Sequence, residues 1–478
     1  MDHNPNPNPA DGAESLPRSL TRREALGRGA VGAVGMLGIG SVLAACGGGS
    51  GGSTTASSSG AKAATGGAAG GGGEITIGAF KASDMDLLRK FYLPRFTQET
   101  GIKVKLNETS YSTWYQNAKN DGLQKTGAYD IYIMDDSWVP EFAAAQIIQN
   151  LDEIGLKANP DIMPKALHQG YWPQPTGARM KDFADADPAL YALVIINDLE
   201  LLFYRNDFFD GPPKTWDEIY KKAKQETVPG KMWGWSARGV KGNPIVQTYL
   251  PLLNSYGGSF VTDDWAPGFA GPEGIAALER LLSFIPYMPK GVAEFDTDQE
   301  VATLLNNRCI ALTEYAGLTK SIDDPASSKV VGKIDVTTCP EQESGGGAIG
   351  TFVAGISVSA PNTPGAVKFL EWFTSDAIQG DFALAHGQSA VTKGALSNPD
   401  ATKKYRWLPA FLAATEVAVP KPWTPDEPKL EDILGTRLNE ALTQAVAQRG
   451  GYHAIAEKAL TAAANETTAF LKQQGGYL

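Results

Sequence analysis

The sequence predicts an α/β fold built as two lobes, and three observations carry that reading. "EITIGAF" and "GIKVKL" alternate in hydrophobicity as strands do, with the amphipathic stretch "SDMDLLRKFYLPRFTQETG" between them. The same alternation returns along the rest of the chain. The body from residue 74 to 478 is too long for one compact core of ordinary size and comfortable for two.

In the first helix Ser83 is the cap with Asp86 three residues on. Leu87, Leu88 and Phe91 make the apolar face, and Gly101 is the stop. Pro94 kinks that helix or ends it early. "YDIYIMD" reads as strand, "PEFAAAQ" as a helix opened by Pro140, and "YALVIINDLELLFYRND" as one long extended segment. "KTWDEIYKKAKQ" opens with a capping box in which Thr215 caps and Glu218 answers. "GPEGIAALERLLSFI" is an amphipathic helix, "CIALTEY", "KIDVTTCP" and "TFVAGISVSA" are strands, and "TPGAVKFLEWFTS" is a helix. From about 430 to 474 two alanine-rich helices close the chain, split by "RGGYH". Internal repeats of solenoid length are missing, and the strands are too irregularly spaced for an eightfold barrel.

Ahead of the body, residues 1–46 read as an export signal. Arg22 and Arg23 precede an uncharged, glycine-rich apolar run that resembles a twin-arginine leader, and "LAAC" resembles a lipobox with Cys46 as the lipidated residue. Residues 47–73 are Gly, Ser, Ala and Thr with one lysine, a composition unable to bury enough apolar surface to order itself. Such a tether has a root-mean-square reach of roughly 25–30 Å. The expected location is extracytoplasmic, anchored to the cell membrane by the lipid. A net charge of −11 argues against nucleic acid, which demands a basic stripe, and against electrostatic adhesion to an anionic membrane. Cys309 opens one strand and Cys339 closes another. In a parallel sheet they sit at opposite ends, on the order of 15–20 Å apart, beyond the reach of a disulfide.

Several motifs carry nothing. "GGGAIG" at 345–350 spells a dinucleotide fingerprint but lacks the strand before it and the helix after it. The four histidines are scattered, so no metal site is expected. "GWSAR" begins like a nucleophile elbow around Ser236 and ends in Arg238 instead of glycine. What remains is "YDIYIMDDSW", an apolar strand ending in two carboxylates and an indole. Neighbouring Asp135 and Asp136 at a strand end should point apart, which suits them poorly as a glycosidase pair. Beside Trp138 they suit a sugar, whose hydroxyls seek charged acceptors while its C–H faces seek an aromatic plane. Trp138 and Tyr315 both lie just past strand ends, where α/β sheets bind ligands. Trp216 and Trp372, on amphipathic helices, are assigned to the core.

The order of leader, lipobox, tether, then "FTQETGIKVKL", "YDIYIMDD", "LLFYRNDFFDGPPKTWDEI", "NNRCIALTEY" and "PGAVKFLEWFTS" resembles the family 1 extracellular solute-binding proteins of ABC sugar importers. The resemblance covers nearly all of 74–478. It implies a periplasmic-binding-protein-like fold with a hinge crossed three times. Lobe one would be 74–195 with 342–396, and lobe two 196–341 with 397–478. It implies a monomeric, non-catalytic receptor, without cofactor or metal, that captures a carbohydrate or polyol and delivers it to ABC permease subunits. A polyamine receptor of the same fold and a secreted glycoside hydrolase are the alternatives. Lobe one would offer Lys81, Tyr111, Asp135, Asp136, Ser137 and Trp138 to the ligand, with Asp198 near the first crossing. Lobe two would offer Arg238, Gln247, Tyr256 and Tyr315. Arg238 on that wall speaks against a cationic ligand, and the glycines of "GGGAIG" fit a loop at the cleft rim.

Overall fold

The computed structural model describes residues 73–342 and 345–477, so the expected leader, Cys46 and nearly all of the tether lie outside the described residues. The first expected strand, helix and strand are present. Strand β1 (Glu74–Phe80) pairs in parallel with β2 (Lys103–Thr109) and with β3 (Ile131–Asp135). Gly78 allows the indole of Trp114 to lie on β1, since a methyl group there would come within 1.9 Å of the ring. Trp114 then donates its Nε1–H to the Ile133 carbonyl (2.7 Å), so it is a core residue.

The chain between β1 and β2 departs from the expected single helix. Helix α1 (Ser83–Leu87) passes into a π-helical turn over Leu88–Tyr92 before α2 (Leu93–Thr100) resumes. The widened turn ends just before Pro94, which lacks the N–H that a regular helix needs there. It shifts the apolar face to Met85, Leu88, Tyr92 and Phe96 and leaves Phe91 half exposed, a correction to the expected face. Gly101 ends the helix in the left-handed region (φ 76°), where glycine carries no steric penalty.

The expected long extended segment is two strands, β6 (Ala192–Ile196) and β7 (Glu200–Arg205), in two different sheets. β6 completes a five-stranded sheet of order β2-β1-β3-β10-β6, in which β10 (Phe352–Ile356) runs antiparallel to both neighbours. β4 (Tyr171–Trp172) and β5 (Ala189–Leu190) form a small ribbon beside it. β7 is the centre of a three-stranded sheet, between β8 (Ala311–Tyr315) and β9 (Ile334–Thr338). The expectation of a parallel sheet is corrected here. Both outer strands are antiparallel to β7 and hence parallel to one another across it. The ladder pairs Tyr204 with Ala311 at one end and Leu201 with Thr338 at the other. Cys309 and Cys339 therefore still lie at opposite ends of the sheet, and both are free and buried.

Two apolar cores result. One fills the five-stranded sheet and continues over one face of β7, through Leu201 and Phe203. The other lies under the opposite face, through Leu202 and Tyr204. It gathers α3 (Asn243–Ser255), α4 (Pro272–Ser283) and the closing helices α5 (Glu427–Gln448) and α6 (Tyr452–Gln474). Residues 397–423, expected with the second lobe, contribute Leu408, Phe411 and Trp423 to the first core. They pack there because the exposed face of the three-stranded sheet needs an apolar cover. Among the described residues no helix is long and apolar enough to cross a membrane.

Candidate functional site

β3 ends where the two cores approach one another, and its last residues answer the question raised by the paired carboxylates. Successive side chains leave a strand on opposite faces. Asp135 lines a cleft, whereas Asp136 turns inward and is almost fully buried. There its Oδ2 accepts from the Thr351 amide (2.9 Å) and hydroxyl (3.0 Å), bracing β3 to the chain entering β10. Burial, then Asp135, push the Asp136 carboxyl up to about 7.

The cleft encloses about 690 Å³, within the range of small-molecule sites. One wall is aromatic: Tyr111, Tyr115 and Trp138. Trp138 packs edge-on against Tyr111, Tyr115 and Phe80 and donates its Nε1–H to the Tyr111 hydroxyl (3.0 Å). That bond satisfies the one polar atom of the indole and leaves the ring as wall. Ser137 donates both its amide (3.1 Å) and its hydroxyl (2.6 Å) to Asp135 Oδ1, which fixes that carboxylate.

The facing wall is polar and is built from Asn243 at the start of α3, the loop around Lys421, and the first turns of α5. Lys421 Nζ stands 3.2 Å from Glu427 Oε1 and 3.4 Å from Glu431 Oε1. Asn243 Nδ2 donates to both oxygens of Glu431 (2.9 Å each), and Gln247 Nε2 adds a third bond (3.0 Å). Burial alone would lower the Lys421 ammonium, but Glu427, Glu431 and Asp135 outweigh it and hold it well above the usual lysine range.

The other expected contacts are placed as follows. Gln247 stands behind Glu431, where its Oε1 accepts from the Tyr315 hydroxyl (2.8 Å). Tyr315 lies over the Arg238 guanidinium, at 5.6 Å. Arg238 is buried away from the cleft, 2.9 Å from Glu200, 3.5 Å from Glu314 and 3.6 Å from Glu300. One guanidinium thus faces three glutamates, and the expected barrier to a cationic ligand is absent from the cleft wall. Tyr256 accepts from Arg280 (3.2 Å) outside the cleft. Lys81 lies in a separate surface hollow with Asp86, Arg89 and Glu108. Asp198 sits on the turn between β6 and β7, and its carbonyl accepts from the Gly350 amide (2.9 Å). The loop 345–350 leads into β10 with no helix after it, so it has no dinucleotide geometry. Ser236 is fully buried, and no cluster of metal-ligating side chains occurs among the described residues.

Sequence reasoning missed Lys421, Glu427, Glu431, Asn243 and Tyr115. A signal was available for three of them. "VPKPWTPDEPKLED" sets charges among closely spaced prolines just ahead of a helix, the mark of a rigid connection rather than a solvated tail.

A profile of bacterial extracellular solute-binding proteins matches residues 81–380. The chain belongs to that family. The solute-binding protein is 24% identical over 331 residues to a probable amino-acid ABC transporter periplasmic-binding protein of Sinorhizobium fredii, covering 67% of this chain and 73% of that one. It is 23% identical over 251 residues to the mannitol-binding protein of Pseudomonas aeruginosa, covering 50% of this chain and 56% of that one. Among solved structures it resembles an ABC transporter solute-binding protein of Agrobacterium radiobacter K84 in complex with ribitol. That match has a TM-score of 0.66 and 25% identity, and covers 83% of this chain and 99% of the other. The family works outside the cytoplasm as a binding component and is not a hydrolase family, which sets the glycosidase alternative aside.

Proposed function

We propose that this solute-binding protein captures a carbohydrate or polyol in the cleft between Trp138 and Glu431 and delivers it to an ABC permease. The observation that carries the reading is the pairing of an aromatic wall with a facing wall of fixed carboxylate, amide and ammonium groups. The first offers a plane to the C–H face of a sugar, and the second offers partners to its hydroxyls. The mannitol and ribitol named for two of the similar proteins are ligands of that chemical kind.

Lobe one is assigned to 74–195 with 342–396, and lobe two to 196–341 with about 424–478; 397–423, expected with lobe two, packs on the first core ahead of the last of three crossings. Sheet membership changes between β6 and β7 and again between β9 and β10, and the chain passes from the first core to the second between Trp423 and Leu430. A ligand touching both walls would favour closure, and the closed form would be the one read by the permease. Lipidation of Cys46 would hold the receptor at the membrane, with the tether giving it reach; a monomer suffices for this role. Tyr111, Asp135, Ser137 and Trp138 are the expected contacts that line the cleft, joined by Lys421, Glu427 and Asn243. Screening the purified protein by thermal shift against sugars, polyols, amino acids and polyamines tests the reading, because a bound ligand raises apparent stability. A rise with sugars or polyols is expected. A rise with amino acids or polyamines alone would refute it.

A further inference from the structure

The cleft holds more negative charge than its own cations neutralise. Of its lining carboxylates, Glu141 is matched by Lys119 (2.6 Å) and Asp432 by Lys429 (3.0 Å) at the rim. Deeper in, Asp135, Glu427 and Glu431 share the ammonium of Lys421, the one cation lining this part of the cleft among the described residues. Glu431 is saturated by Asn243, Gln247 and Lys421. Glu427 is not: it is 2% exposed, and its Oε1, 3.2 Å from the Lys421 ammonium, takes no well-aligned hydrogen bond among the described residues. Asp135 offers Oδ1 to Ser137, and no donor among the described residues reaches its Oδ2. The positive end of α5 points at this place but supplies only about half a charge, and Lys421 is one cation among three carboxyl groups, of which burial biases Glu427 toward its protonated form.

A buried carboxylate without a donor is costly, and a bound cation removes that cost. We propose that the cleft selects a polyhydroxylated ligand bearing a protonated amine, an amino sugar or amino-polyol, whose ammonium is read by Glu427 and Asp135. This rests on the carbohydrate and polyol reading above and narrows it. A zwitterionic amino acid fits less well, because its carboxylate would meet Asp135 and Glu427 while Lys421 is already engaged. Burial, with Glu431 next, holds the Glu427 carboxyl well above the usual range, and a ligand ammonium beside it would draw that carboxyl back down. The hydroxyls of such a ligand would be taken by Asn243 and Ser137, and its C–H face by Trp138.

The test uses probes that differ only by amine against hydroxyl. Calorimetric titration of the purified protein with D-glucosamine against D-glucose, and with 1-amino-1-deoxy-D-sorbitol against D-sorbitol, is run at pH 6 in low and high salt. The amine member of at least one pair is expected to bind about tenfold or more tightly, with a preference that shrinks in salt. Glu427→Gln and Asp135→Asn should each lower that ratio severalfold while the hydroxyl member changes less, and N-acetyl-D-glucosamine should lose the advantage. Equal or tighter binding of the hydroxyl members, or binding in the broader screen confined to neutral sugars, overturns the inference and leaves the receptor reading standing. Spermidine or putrescine binding without any sugar, or no binding by any sugar or polyol in either experiment, overturns both.

Discussion

Glu200 offers the sharpest test of the buried charge cluster beneath the cleft. It is 1% exposed, its Oε1 accepts from Arg238 (2.9 Å), and its Oε2 takes no well-aligned hydrogen bond among the described residues. Burial pushes its carboxyl from the ordinary 4.5 up to about 8; Arg238 pulls it back in part and Glu314 pushes further. A carboxyl raised in the folded state binds its proton there after the unfolded chain has released it. Stability from this group is therefore complete below about pH 4.5 and is lost as pH rises toward 8. At about 1.4 kcal/mol per pH unit for one proton, the loss between pH 5 and pH 8 is on the order of 3–4 kcal/mol. Glu200→Gln keeps the size and the acceptor for Arg238 and cannot ionise, so its stability should fall much less over the same interval. The difference shrinks to the extent that Glu300, also held high by burial and opposed by Arg238, ionises in its place. Urea unfolding of ligand-free wild type and variant, followed by tryptophan fluorescence at pH 5 and pH 8, measures the two slopes. Asp136, raised to about 7, adds a slope of the same sign to both proteins and cancels in the comparison. Parallel pH dependences would mean that Glu200 does not carry the slope, being ionised in the folded protein or fully replaced by Glu300, and its assignment as the protonated member of the cluster fails.

Trp138→Ala should weaken ligand binding and also cost about 3–5 kcal/mol of stability, because the indole is 4% exposed among Phe80, Tyr111, Tyr115 and Phe142; an unchanged urea midpoint would show the ring to be cleft wall alone. Lys320, 2.6 Å from Asp84, joins the short helix after β8 to the helix after β1. Lys320→Gln should shift the ligand-free protein toward an open form by about 1 kcal/mol, and interlobe fluorescence transfer identical to wild type would refute that role. Alkylation of the denatured, unreduced protein should label both Cys309 and Cys339, while the native protein resists, since burial raises both thiols; a linked peptide pair would contradict the sheet order.

Much of the site was legible where local pattern decides it. An apolar run ending in Asp135, Ser137 and Trp138 announces a strand end with ligand-type side chains, and alternation along the chain gives Tyr111 its place just after β2. The divergence of Asp135 and Asp136 is likewise a property of the strand itself. For Lys421, Glu427 and Glu431 the sequence signals only a rigid, charged segment; their place in the cleft was not legible, because they reach it only when a segment nearly three hundred residues downstream of β3 packs across from it, and no local period encodes that approach. Arg238 shows the reverse case. The family resemblance suggested a cleft wall, but Glu200, Glu300 and Glu314, brought from three separate segments, draw the guanidinium inward.

By itself the sequence determined the α/β class and the strand that ends in Asp135, Ser137 and Trp138, because alternation is local. Only the tertiary structure decided the mixed strand directions, the π-helical turn that exposes Phe91 and the polar wall. Each of those depends on which distant surfaces must cover one another and which charges burial forces together.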